Sequence, residues 1–223
     1  MNDRAAGGRA VVCFAVPDES RLFVAAHDPA AEVFHTGVGD TAAARERLAR
    51  HLATNPPSLV ISAGYAGGLS PALAVGDLLL GENHSSPLPL EKARRALADE
   101  RPLVGTLLTV PAAVESARAK AALHRDTGAL AVDMETAWIA EVCAAAGVPL
   151  LSLRVVSDAA GDDFPVPGHV LYDAARQRPR YLALPIWLAL HPGRIGPFMR
   201  FVRGLGPARE RLTRALHLVL AAR

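Results

Sequence analysis

Leu59-Val60-Ile61-Ser62-Ala63-Gly64-Tyr65-Ala66-Gly67-Gly68 is the stretch that decides the fold. Leu59 to Ala63 is a short apolar run of the kind a strand covered on both faces needs, and the glycines after it read as the turn that follows the strand. Similar runs recur at Arg9 to Val16, Val75 to Leu80, Gly105 to Val110 and Leu150 to Val156. Helical patterns lie between them. Thr41 to Thr54 places Leu48 and Leu52 on one face and is stopped by Asn55-Pro56-Pro57. Ala112 to Arg125 is a second, and Met134 to Ala146 a third, closed by Gly147 and by Pro149. Strand and helix alternating along 223 residues predict an α/β fold in one domain, with a largely parallel sheet covered on both faces.

Charge divides the chain unevenly. Residues 1–175 hold 14 Lys/Arg against 21 Asp/Glu, whereas residues 176–223 hold 10 against 1. Residues 1–175 therefore read as the body of the domain and 176–223 as a basic, apolar helical extension of it. Pro179, Pro185, Pro192 and Pro197 interrupt that extension, which predicts several short helices. Its mixture of Trp187, Phe198, Met199 and Phe201 with Arg200 and Arg203 suits a membrane surface. A helix closing the core or an oligomer interface is the plainer alternative, and such charge could also attract nucleic acid. Met1 to Arg9 has no apolar core of a secretory signal, and no run reaches the roughly 20 apolar residues of a spanning helix, so the expected location is cytoplasmic. Cys13 and Cys143 have no disulfide or metal-ligand spacing and read as small buried hydrophobes.

Parallel α/β sheets bind ligands beyond the carboxyl ends of their strands, so the residues just after each strand matter most. There stand Glu19, the glycine cluster at residues 64–68, Met134-Glu135 and Ser157-Asp158. Each has a bland reading. Glu135 suits the first turn of any helix, Asp158 can cap the segment after it, Glu19 can be a solvated turn acid, and the glycines can form an ordinary turn. Together they bring three carboxylates to one sheet edge.

Ser62-Ala63-Gly64-Tyr65-Ala66-Gly67-Gly68-Leu69 with Val75-Gly76-Asp77 resembles the superfamily of purine nucleoside phosphorylases and methylthioadenosine/S-adenosylhomocysteine nucleosidases. Ala131-Val132-Asp133-Met134-Glu135 and Arg154-Val155-Val156-Ser157-Asp158 resemble it equally, and the likeness spans about residues 10–160. Gly128-Ala129 before the Met134 block, the short chain and the basic tail look most like its hopanoid-associated branch. The resemblance implies a phosphorylase/hydrolase-like mixed central sheet flanked by helices, and cleavage of a nucleoside such as adenosylhopane. It also implies a role for each acid: Asp158 as the acid at purine N7, assisted by Ser157; Glu19 as the carboxylate that activates water; and Glu135 as the ligand of the ribose hydroxyls. Met134 would pack on the sugar, while Tyr65, Ala66 and Gly67 would line the nucleoside pocket. Tyr65 replaces a serine of the nucleosidase motif, the segments at 20–36 and 82–103 are short, and no aromatic residue near Val110-Pro111 replaces the one that stacks on the base.

Water or phosphate is the remaining choice of nucleophile. Thr36-Gly37-Val38-Gly39 offers backbone amides for phosphate, with Gly39 and Arg45 as candidate phosphate or water ligands. Glu19 would repel phosphate, which favours hydrolysis. His169 could reach the site from its loop. The expected partners are a small nucleoside and further copies of this chain, not nucleic acid, with no metal and no cofactor beyond phosphate as a co-substrate in the phosphorylase case. A nucleoside-binding protein without catalysis is the alternative that keeps the fold.

Overall fold

A computed structural model describes residues 8–173, 176–180 and 182–223. The strands are β1 (Ala10–Phe14), β2 (Ala31–His35), β3 (Leu59–Gly68), β4 (Leu78–Gly81), β5 (Leu103–Gly105), β6 (Leu107–Thr109), β7 (Ala131–Asp133) and β8 (Leu150–Asp158), with a small pair, β9 (Tyr172–Asp173) and β10 (Arg178–Pro179). The helices are α1 (Pro17–Ala26), α2 (Ala42–Thr54), α3 (Pro87–Ala96), α4 (Ala117–Thr127), α5 (Thr136–Ala146), α6 (Gly168–Leu171), α7 (Ala183–Leu190) and α8 (Ile195–Ala221).

Eight strands form one sheet in the order β2-β1-β3-β8-β4-β5, with β7 added against the end of β3 and β6 against β7. Pairs β1–β2, β1–β3, β3–β8, β4–β5 and β6–β7 are parallel, whereas β4–β8 and β3–β7 are antiparallel. The sheet is therefore mixed, in a single α/β domain. Every residue of β8 is buried, and its side chains divide with the two-residue period of a strand. Leu151, Leu153 and Val155 join Ile61 and Ala63 under Leu212 and Leu216 of α8. Leu150 and Val60 face the other way, under Leu48 and Leu52 of α2 and Trp138 of α5.

Four local expectations are corrected. The glycine cluster does not follow β3 but is its second half, because Tyr65, Ala66 and Gly67 continue the ladder with β8 and Gly67 and Gly68 pair with β7. The run from Gly105 to Val110 is two strands broken at Thr106, one beside β4 and one beside β7. The helix expected from Ala112 begins at Ala117, where the Ser116 hydroxyl accepts a hydrogen bond from Ala119 N at 3.2 Å. The tail holds one of the expected short helices, α7, and a single turn at Pro192–Arg194, but the rest of it is a 27-residue helix, α8. Pro197 falls in its first turn, where a missing N–H costs nothing, and Pro207 is carried inside it. Burial of Ala208, Leu212, Ala215, Leu216, Val219 and Leu220 in the core outweighs that break. No helix among the described residues is long and apolar enough to cross a membrane.

Candidate active site

The ends of β3, β7 and β8 and the start of α1 surround a hollow of about 220 Å³. Glu19, Tyr65, Ala66, Gly67, Met134, Glu135, Ser157 and Asp158 all line it, so the structure brings the three expected acids to one cavity. Asp133, Val110 and Phe164 also line it, among mostly apolar neighbours.

Glu19 reaches the hollow from the first turn of α1 and is 6% exposed, not a solvated turn acid. Its Oε2 accepts from Ala15 N at 2.9 Å and Val16 N at 3.2 Å, and its Oε1 accepts from Tyr65 N at 2.9 Å. A carboxylate has about four acceptor positions, so three backbone donors fix its plane and leave about one for a ligand. Burial pushes the Glu19 carboxyl above its ordinary value, opposed by those three amides and by Arg154.

Glu135 occupies the cap position just before α5 rather than its first turn, and Gly39 N donates to its Oε1 at 2.7 Å. Burial, reinforced by the charge of Asp133, raises its carboxyl to about 8. Asp158 ends β8. The Ser157 hydroxyl donates to its Oδ1 at 2.5 Å, and the Lys120 ammonium donates to its Oδ2. Gly67 leaves room for this carboxylate, since a Cβ at that position would lie a tight 3.3 Å from Oδ2.

Beneath the acids lies a buried cation. Arg154 is 3% exposed in the middle of β8. Its Nη2 donates to Asp133 Oδ2 at 2.6 Å, to Thr136 Oγ1 at 2.6 Å and to Ser62 Oγ at 2.8 Å. Its charge lowers the carboxyls of both Glu19 and Glu135. The sequence motifs contain Arg154 and its partner Asp133 without implying a role for either, and nothing in them points to Lys120 or Phe164. An arginine within an apolar strand is a legible signal, since it needs a buried counter-charge. Lys120 in Ala117-Arg118-Ala119-Lys120 reads as one more solvated helix cation.

Other expected residues lie elsewhere. Arg45 is at the surface, bound to Asp40 and Glu141 at 2.6 Å each, and does not line the hollow. His169 is exposed on α6. Gly39 touches the site through its amide to Glu135 alone. The remaining amides of its loop are also engaged: Thr36 N with Phe14 O, Gly37 N with Ala15 O and Val38 N with Gln177 Oε1. The Tyr65 ring packs on the core below α8, and its hydroxyl accepts from Arg209 Nε at 3.2 Å. Arg209 in turn pairs with Asp18, beside Glu19. A second hollow of about 610 Å³ shares Ser157 and Asp158 with the first and is walled by Arg194, Arg200 and Phe201 of the tail.

Known proteins share this arrangement at the level of fold. The structure superposes on an S-adenosylhomocysteine nucleosidase of Streptococcus pyogenes, solved with 5-methylthiotubericidin, with a TM-score of 0.70 at 16% identity over 98% of both chains. It superposes on the futalosine hydrolase of Helicobacter pylori with a TM-score of 0.68 at 15% identity, covering 96% of this chain and 98% of that one. In sequence it is 36% identical over 134 residues to the futalosine hydrolase of Streptomyces coelicolor, covering 48% of this chain and 56% of that protein. A methylthioadenosine/S-adenosylhomocysteine nucleosidase of Mycobacterium tuberculosis is 39% identical over 59 residues, covering 26% of this chain and 23% of the relative. The chain thus spans little more than half the length of the longer-matching of these two relatives. Residues 87–178 match the family model described as the Phosphorylase superfamily. That match over part of the chain, beside a fold shared along nearly its whole length, makes the chain similar to the phosphorylase superfamily.

Proposed function

We propose that the protein is an N-ribosyl hydrolase that cleaves the glycosidic bond of an adenosyl nucleoside and releases adenine. The observation that carries this reading is the convergence of Glu19, Glu135 and Asp158 on one hollow. Cleaving the bond builds positive charge on the ribose and negative charge on the departing base, so the site must protonate the base, hold the sugar and deliver a nucleophile. Asp158 gives a proton to N7, Glu135 accepts from the ribose hydroxyls, and Met134 packs on the sugar. Phe164 is the aromatic wall available to the base. Glu19, with one acceptor position free, takes a proton from the attacking water. Its buried environment makes it a stronger base than a solvated glutamate.

Water is favoured over phosphate because the amides of residues 36–39 already donate to other groups and Arg45 is held by two acids. Phosphorolysis is the alternative, and a non-catalytic nucleoside-binding protein the second. Incubation with 5′-substituted adenosines, with and without phosphate, separates them. Adenine and the free 5′-substituted ribose at equal rates in both buffers support hydrolysis. The 5′-substituted ribose 1-phosphate formed only with phosphate overturns it, and no base released from any adenosine in either buffer supports binding alone.

The reading extends to a lipid-linked nucleoside such as adenosylhopane, taken up at a membrane surface. In support, Leu182 at the N-cap of α7 and Ile186 and Leu190 on it are 61–79% exposed, and the helix holds no charged residue. Arg194 and Arg200 continue that segment to the hollow beside Asp158. Cosedimentation with anionic vesicles, lost on deleting residues 182–190, is the expected result. No binding, with self-association through the same helix, would assign the patch to a homo-oligomer instead.

A further inference from the structure

Lys120 is the most unusual charge in the molecule that the reading above leaves unused. Its side chain is fully buried on α4. Nζ donates to Asp158 Oδ2, to Ala159 O at 2.8 Å and to Asp162 O at 2.9 Å, which uses all three ammonium hydrogens. Asp158 is the only carboxylate it bonds among the described residues, and one face of that carboxylate opens on the hollow. Burying an ammonium costs several kcal/mol even when it is paired. A mere tie between α4 and the turn at 159–162 would not need that charge, since other bonds already join the start of α4 and the residue pair before it to the residues just after the turn. Ala117 N donates to Asp163 Oδ1 at 2.9 Å, and Phe164 N donates to Glu115 O at 2.8 Å.

We propose that Lys120 supplies, through Asp158, the proton that the leaving base takes up. The inference rests on the nucleosidase reading. As the C1′–N9 bond breaks, its electron pair goes to the base. Oδ2 of Asp158 takes a proton from Nζ and passes it to N7, so an Nζ–H bond is broken, an N7–H bond is formed and Asp158 ends as it began. Water adds to C1′ and loses a proton to Glu19. The site thus moves one proton from Lys120 to Glu19 in each turnover, and exchange with solvent through the open hollow resets Glu19 directly and Lys120 by way of Asp158. Ser157 on Oδ1 leaves Oδ2 as the oxygen that delivers. Lys120 acts through Asp158 and is a positioning and proton-supplying residue.

Two ribosides with the same 5′ group test this: an adenosine, whose base must be protonated to leave, and a 4-nitrophenyl riboside, whose phenolate leaves without a proton. Lys120→Met should lower kcat for the adenosine by about 10²- to 10⁴-fold, the usual span of general acid catalysis, with a far smaller loss on the aryl riboside. Lys120→Arg retains the charge and the donors but does not release a proton at ordinary pH, so it should show the same split. That variant carries the comparison if the methionine variant does not fold. Equal losses on both substrates, or recovery of adenosine cleavage by arginine, would overturn the proposal and leave Lys120 a structural tie. A wild-type protein that cleaves the aryl riboside but no adenosine would instead overturn the nucleosidase reading and this inference with it.

Discussion

A Cβ on residue 64 would lie 2.7 Å from Oε1 of Glu19 and 2.8 Å from Nη1 of Arg154. Gly64 holds φ at 153°, so the strand can pass directly beneath the carboxylate and still present Tyr65 N to it. Gly64→Ala should therefore displace Glu19, lowering kcat at least tenfold and stability by about 1–3 kcal/mol. Steady-state kinetics beside a denaturant titration check both. Unchanged kcat in a folded variant would separate Glu19 from the chemistry.

Glu19 serves two purposes that substitution should split. Its carboxylate caps the start of α1 by accepting from Val16 N and also faces the hollow. Glu19→Gln keeps one acceptor oxygen and should cost about 1–2 kcal/mol of stability, the scale of a lost cap, while lowering kcat by about 10²-fold or more. Because burial raises the Glu19 carboxyl, the wild-type rate should climb with pH above the range of an ordinary glutamate. The variant should lose that limb.

Glu135 sets a stability dependence with a defined sign. Its carboxyl sits at about 8 in the fold against its ordinary 4.5, so the folded protein binds the extra proton. That contribution is fully present below about pH 4.5 and is lost as pH rises to about 8, above which it is flat. Glu135→Gln should remove it, making the variant more stable than the wild type by about 2–5 kcal/mol at pH 9 and near equal at pH 4. Denaturant melts at the two pH values measure the difference.

Arg154 and Asp133 form a buried pair whose loss should be severe. Arg154→Met strands the Asp133 carboxylate and leaves Thr136 and Ser62 without their donor, which should cost about 3–5 kcal/mol. Arg154→Met combined with Asp133→Leu should recover part of it. A double variant no more stable than the single would show that the pair does not act as a unit.

The sheet was legible because β1, β3 and β8 are covered on both faces and so carry continuous apolar runs. The three acids were legible because each directly follows such a run or its turn. What the sequence concealed depends on contacts between distant segments. Gly64 to Gly68 looks like a turn, and only its ladder with β8 makes it a strand. Lys120 looks solvated, and only the packing of α4 on the 159–162 turn buries it. The prolines of the tail argued for short helices, yet the apolar stripe from Ala208 to Leu220, which the core demands, carries one long helix through Pro207. Arg45, singled out by its charge and place near the glycine loop, found two acids at the surface instead.

The account stands most directly on the rate of adenine release in phosphate-free buffer by the wild type and by Asp158→Asn. The asparagine retains the shape of the side chain but cannot carry a proton to N7 or accept one from Lys120. Release by the wild type, reduced by about 10²-fold or more in a variant that still binds adenosine, is the predicted result. Equal rates for the two proteins would contradict it.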